Sequence, residues 1–288
     1  MRLLAIRHLT EYIFSTAVTL QPHRLLLRPR EGHDLRINSS VLDISPTPTI
    51  RWHRDMFDNS VAIVSFPEPA SRLTIVSDVV IRHYDETPFD FVVANYAAIY
   101  PFEYDSEEKV NLYPFQRPIY ADDSRAVQNW LGSLGLQQAS GETYVLLDKI
   151  NRAIANGLLY ARREEAGVQS PAATLACGSG SCRDFAALFM ETCRHLGLAS
   201  RFVSGYLHDA TLEVGGATTH AWTEVYLPGA GWKGFDSTSG KITGSDHIPA
   251  AVARHPETIA PVAGSFIGPA GQLPILNVHV EVRNLPVT

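Results

Sequence analysis

Between residues 178 and 197 the sequence reads GSGSCRDFAALFMETCRHLG, the stretch that most constrains what the chain can fold into. Cys182, Ala186, Phe189, Met190, Cys193 and Leu196 fall at i, i+4, i+7, i+8, i+11 and i+14, the spacing of one apolar stripe on a helix. Gly197 supplies the C-terminal stop. Cys182 is thereby placed in the first turn of an otherwise buried helix. Unpaired backbone N–H groups and the positive end of the helix dipole favour a thiolate there. The preceding Gly178-Ser179-Gly180-Ser181 lets the backbone approach a substrate and leaves amides free to hold an oxyanion. A free cysteine is also commonly a small buried hydrophobe. Reading Cys182 as a nucleophile therefore requires partners elsewhere in the chain.

The 288 residues have room for two domains, or one large one, with a proper core. A hydrophobic content of 45% with 19% charged residues is that of a soluble globular protein, and nothing points to disorder. The net charge of −6 argues against nucleic acid or an anionic membrane as the main partner. Three cysteines, Cys177, Cys182 and Cys193, make no disulfide framework in so long a chain. His8, His23, His33, His53 and His83 are dispersed without zinc-like spacing, so no metal site is expected. Arg2, Arg7, His8 and Glu11 interrupt the N-terminal segment, and no apolar run reaches the roughly 20 residues of a membrane span. The expectation is a cytoplasmic protein with reduced thiols.

Residues 1–85 read as all-β. IRHLTEYIF, RINSSVLDIS, SVAIVSF and RLTIVSDVVIRHY are rich in Val, Ile, Thr and aromatics, and turn residues separate them. Residues 86–120, rich in Pro, Tyr and Phe, read as a packed connector. From 121 the pattern turns helical. Asp122 and Asp123 are candidate caps for a helix carrying Val127 and Leu131, and a second helix after Gly141 presents Leu146, Leu147, Ile150 and Ile154. Residues 160–181 read as a loop. After the cysteine helix, ARFVSGYLHD, THAWTEVYLP and GWKGFDST read as three antiparallel strands, residues 240–274 as a long loop, and ILNVHVEVRN as a last strand. The expected division is thus a β-rich domain at 1–85, a connector at 86–120 and a catalytic domain at 121–288.

Within THAWTEVYLP, His220, Trp222, Glu224 and Tyr226 share one side of the strand. A hairpin loop with an odd number of residues puts Asp236 on that same side. A three-residue loop at 228–230 would pair Trp222 with Asp236 and leave His220 one diagonal step away, roughly 7–8 Å. A two-residue loop would turn the carboxylate to the wrong face. Cysteine, imidazole and carboxylate together make an acyl-transfer set: thiolate nucleophile, proton carrier, and a group that orients and stabilises the carrier.

GSGSCRDFA, RFVSGYL and THAWTEVYLPGAGWKGFDST, in that order, resemble the core of the bacterial transglutaminase-like cysteine enzymes. HLTEYIF, LLLRPREGHDLR, LDISPTP and DMFDNSVAIVSF resemble the β-rich N-terminal region that accompanies this core in bacteria. The resemblance implies an α+β protein: an N-terminal antiparallel sandwich, then a papain/transglutaminase-like core with the cysteine helix on an antiparallel sheet. It implies Cys182 as nucleophile, His220 as general base and acid, and Asp236 as the orienting carboxylate. It implies no cofactor and no metal, and the calcium dependence of the animal enzymes finds no counterpart. Trp222, Ser181 and Gly180 are candidate substrate contacts, with Trp222 equally fitted to a core. Arg183 and Asp184 are expected to face away from the substrate. The family's Asp-Pro-Thr-Asn-Gly reads Asp236-Ser237-Thr238-Ser239-Gly240, implying a looser turn, and Asp58 replaces a turn glycine while tolerating left-handed geometry. The expected function is a protease or amidase acting on a peptide or protein. The alternatives are a protein-glutamine amine transferase and a non-catalytic binding module. An arylamine acetyltransferase fits less well, because Ser179-Gly180-Ser181-Cys182 lacks that family's Arg-Gly-Gly-x-Cys.

Overall fold

The computed structural model describes residues 1–84, 88–163, 165–208 and 217–286. The N-terminal part is built from β1 (Arg2–Leu20), β2 (His23–Leu25), β3 (Leu35–Ser45), β4 (Thr49–Arg54), β5 (Ser60–Ser65) and β6 (Ala70–His83). β1 pairs with β6, and β6 with β3, while β2, β5 and β4 form a second antiparallel sheet. Alternating side chains from the two sheets meet in one core through Phe14, Val18, Leu25, Val64, Leu73 and Ile75. This is the sandwich that the strand pattern implies, with β2 and β4 as additional strands.

Among the described residues five α-helices follow: α1 (Ser106–Gln116), α2 (Ser124–Ser133), α3 (Thr143–Gly157), α4 (Pro171–Cys177) and α5 (Cys182–His195). α1 lies inside the expected connector and α4 inside the expected loop. Ser170 caps α4 by accepting the Ala173 N–H, and Pro171 opens it, a start that the sequence does signal. Asp123 stands at the start of α2 but does not cap it; its carboxylate accepts the Ala172 N–H at 2.9 Å instead.

The second antiparallel body contains β7 (Ser200–His208), β8 (Ala217–Leu227), β9 (Gly231–Asp236), β10 (Lys241–Ile242) and β11 (His247–Ala253), in the order β10-β9-β8-β7-β11. α5 packs on it in two patches. Ala186 and Met190 meet Phe202 and Ala221, while Phe185, Leu188 and Phe189 meet Val225, Leu227 and Phe235. Every residue of α5 from Asp184 to Arg194 is buried, so the helix is enclosed on all sides rather than along one stripe.

The expected division at residue 120 does not hold for the end of the chain. β12 (Val262–Ala263) pairs with β2, β13 (Phe266–Ile267) with the end of β1, and β14 (Ile275–Leu285) with β1 from Leu3 to Ile13. The apolar alternation of β14 is satisfied by the N-terminal sheet, where Val280 and Val282 join Leu4, Ile6, Val79 and Ile81. That cluster also takes in Tyr206, Ile248 and Ala250, so the two bodies share apolar surface. The expected boundary at residue 85 lies outside the described residues. Among the described residues no helix is long and apolar enough to cross a membrane.

One turn ties the N-terminal body to β11. Asp58 adopts φ +60°, as the resemblance implies for this position. Its neighbour Asn59 is fully buried and exchanges two hydrogen bonds with the Val252 backbone, at 2.8 and 2.9 Å.

Candidate active site

Cys182 occupies the first position of α5 and is partly exposed. Asp184 organises the helix start by accepting the N–H and hydroxyl of Ser181 at 2.8 and 2.7 Å. It also pairs with Arg163 at 2.9 Å and accepts the Gln169 N–H at 2.7 Å. Burial works against the Asp184 charge, but these bonds hold its carboxyl below the ordinary value.

β8 and β9 are joined by a three-residue loop, with Leu227 opposite Gly231 and Thr223 opposite Phe235. That is the odd-numbered loop which brings Asp236 to the His220 side. His220 Nε2 lies 3.1 Å from Asp236 Oδ1, with the two side chains 5% and 1% exposed. The oxygen stands off the ring N–H direction, so the pairing is an ion pair rather than a well-aligned hydrogen bond. Cys182 and His220 line the same cleft, and the Cys182 side chain is close enough to act on the charge of the ring. Burial alone would lower the His220 pKa, but the ion pair with Asp236 and the charge of the nearby Cys182 outweigh it, and His220 is pushed up to about 10. Asp236, against its own desolvation, is held far below the ordinary carboxylate range by His220 and His247.

The turn after Asp236 is tight rather than loose. Thr238 N–H donates to Oδ1 at 2.9 Å, the Ser239 hydroxyl to Oδ2 at 2.8 Å, and the Gly240 N–H to the Asp236 carbonyl at 2.8 Å. Ser237 is anchored on Asn151 of α3 at 2.8 Å. Hydroxyls and two backbone amides thus replace what a proline turn would fix by ring closure.

Three candidate substrate contacts serve other ends. Trp222 is 2% exposed and packs against Val203 and Val252, with its ring 6.2 Å from His220. It walls the imidazole from beneath and does not line the cleft. Gly205, opposite His220 in the ladder, makes room for it: a Cβ there would stand 2.8 Å from Trp222 Cη2. Ser181 is spent on Asp184. Gly180 is small because of helix packing, since a Cβ would lie 2.9 Å from that of Asp184. Arg183, expected to face away, lines the cleft and donates to the carbonyls of Arg163 and Glu165.

The cleft above Cys182 and His220 measures about 160 Å³ and is walled by Val168, Phe202, Ala221, Ile259 and Pro261, with Glu257 at its edge. Glu257 accepts the Val168 N–H at 2.7 Å and so joins two loops across the opening. Phe202 and Ala221 stand on strands that the sequence shows, whereas Val168, Ile259 and Pro261 come from segments read in the sequence as loops, with no residue signal to single them out. Burial and then the charge of Cys182 raise the Tyr160 pKa, so this tyrosine is another neighbour of the thiol that sequence reasoning missed. His247, paired with Asp236, is another site residue that sequence reasoning missed.

His220, Asp236 and His247 offer ligand atoms within 4.8 Å of one another. The donor set is arranged for protons rather than for a cation. Both Asp236 oxygens already accept hydrogen bonds, and His247 Nδ1 accepts the Gly244 N–H at 3.4 Å, which leaves the ring hydrogen on Nε2.

Comparison with known proteins bears on the family and the fold. Residues 4–82 match the bacterial transglutaminase-like N-terminal region, and residues 136–237 match the transglutaminase-like superfamily. An uncharacterized protein of Mycobacterium tuberculosis is 27% identical over 96% of this chain and 91% of its own length. One of Mycobacterium leprae is 34% identical over 37% of this chain, which spans only 38% of that relative. A solved structure from Cytophaga hutchinsonii, described as a "putative cysteine protease", shares the fold over 100% of this chain and 92% of its own, with a TM-score of 0.75 and 18% identity. A core of this kind supports a cysteine-dependent hydrolase or transferase. The chain carries a transglutaminase-like core at residues 136–237, with a bacterial transglutaminase-like N-terminal region at residues 4–82 ahead of it.

Proposed function

We propose that the protein is a cysteine-dependent acyl-transfer enzyme that hydrolyses peptide or glutamine-type amide bonds. The observation that carries this reading is one cleft lined by both Cys182 and a buried His220 that is paired to Asp236 at 3.1 Å. Sγ of Cys182 attacks the amide carbon, and the carbonyl electron pair moves onto oxygen. The first N–H of α5, at Cys182, has no carbonyl within the helix to bond and is available to that oxygen. His220 gives its proton to the departing amine, leaving a thioester. It then takes a proton from water as the oxygen attacks, and collapse of the second adduct releases the acid and the thiolate. Asp236 keeps the ring oriented and stabilises its charged form throughout.

An amine in place of water would give a cross-linking transferase through the same first half-reaction. Water is favoured because it is abundant and because Glu257, the one carboxylate among the described cleft residues, already holds the Val168 N–H. The test is a panel of glutamine-containing peptides assayed for ammonia release, chain cleavage and incorporation of a fluorescent primary amine. Ammonia or cleavage that disappears in Cys182→Ala is expected. Amine incorporation in excess of hydrolysis would make the protein a transferase. A biological effect that survives Cys182→Ala would make it a binding module.

A further inference from the structure

Acyl transfer of this kind asks one imidazole to face the carboxylate, yet Asp236 is flanked by two. His247 Nε2 lies 3.3 Å from Oδ2, and its side chain is 11% exposed. The second ring stands on an edge strand, and a single irregularity in the ladder aims it. Ser204 pairs with Ala251, but Gly205 pairs with Pro249, so one residue of β11 is passed over. Leu207 therefore lies opposite His247, two residues along β7 from Gly205, which lies opposite His220. An unbroken register would put His247 opposite His208, on the other face of the sheet. With the slip, both imidazoles and Trp222 share one side. The His247 ring meets Trp222 edge to face at 5.3 Å and lies 6.0 Å from the His220 ring.

The tautomer of His247 follows from its other nitrogen. Nδ1 accepts the Gly244 N–H, so Nε2 carries the hydrogen that points at Asp236. We propose that His247 is a positioning residue: it donates its Nε2 hydrogen to Oδ2 of Asp236, keeping the carboxylate charged and its Oδ1 turned towards His220. The inference rests on the acyl-transfer reading above. It matters because the His220–Asp236 contact is off-axis, so the pair depends on where the negative charge sits rather than on one well-directed bond. Without His247, Oδ2 keeps among the described residues only the Ser239 hydroxyl and Oδ1 the Thr238 N–H, so one fewer bond fixes the rotation of the carboxylate about its bond to Cβ. The titratable groups facing this cluster are Cys182, His220, Asp236 and Tyr160.

The test is the titration of His220 by long-range 1H–15N NMR in wild type, His247→Ala and His247→Gln, with the iodoacetamide labelling rate of Cys182 at pH 6 alongside. In His247→Ala the His220 midpoint is expected to fall by about one pH unit, tenfold in proton affinity, and Cys182 labelling to slow with it. His247→Gln, whose amide still donates, should restore most of both. A His247→Ala protein that melts earlier yet keeps the wild-type His220 midpoint and labelling rate would overturn the proposal, since that is what a purely structural residue does. If the alanine variant does not fold, the wild-type spectrum decides: an Nε2–H tautomer at His247 supports the proposal, and an Nδ1–H tautomer overturns it. The parent reading fails by a different sign, namely wild-type Cys182 labelling no faster than in His220→Ala.

Discussion

Two buried ion pairs lie within the same core and behave differently. Glu191 and Arg194, one turn apart on α5, meet at 2.9 Å with both side chains fully buried. Glu191 also accepts the N–H groups of Ile119 and Tyr120, and Arg194 donates to the carbonyls of Phe115, Ser200 and Arg254. Every direction around that pair ends on backbone, and it joins the connector, α5, β7 and the end of β11. His220 and Asp236 are nearly as buried, but one side of the His220 ring meets a cysteine at the foot of a cleft. Burial makes both pairs costly to break. What separates scaffold from chemistry is whether the buried charge has a titratable partner open to a ligand.

The largest effect should come from the scaffold pair. Arg194→Met leaves Glu191 charged and unpaired, and urea melts should show a loss of about 3–5 kcal/mol. Cys182 labelling in the folded fraction should remain as in wild type. A loss below about 1 kcal/mol, the range of exposed pairs, would erase the contrast. Asn59→Ala removes the buried amide that bonds Val252, Arg30 and Asp55, at a cost of about 1–3 kcal/mol in the same assay. A smaller, pH-dependent effect sharpens the comparison from the other pair. The folded His220 holds its proton to about pH 10, whereas an unperturbed ring releases it near 6.5. Its contribution is therefore complete below 6.5 and is lost as the pH rises through 10. The stability gap between wild type and His220→Gln should narrow over that window, while the gap for Arg194→Met changes little.

α5 was legible because its period and its glycine stop agree with one another. The carboxylate's side was legible as a parity condition on the hairpin, and the three-residue loop at 228–230 meets it. β11 was not legible. HIPAAVA is short, rich in alanine and interrupted by Pro249, a residue suited to an edge strand, which is where β11 lies. The helix at 106–116 was hidden by Pro114 and by having Leu112 as its one buried residue. The return of the chain's end to β1 was also hidden. Alternation tells which side of a strand is buried, but not which sheet buries it.

The measurement that bears most directly on the central claim is site-resolved iodoacetamide labelling at pH 6, comparing Cys182 with Cys177 and Cys193 in wild type and in His220→Ala. Cys193 is fully buried, its thiol pushed up by desolvation, so it serves as the internal inert reference, and Cys177 as the exposed one. The account predicts that Cys182 labels first, and that removing His220 slows it about tenfold or more. Labelling of Cys182 no faster than Cys177, and indifferent to His220, would contradict it.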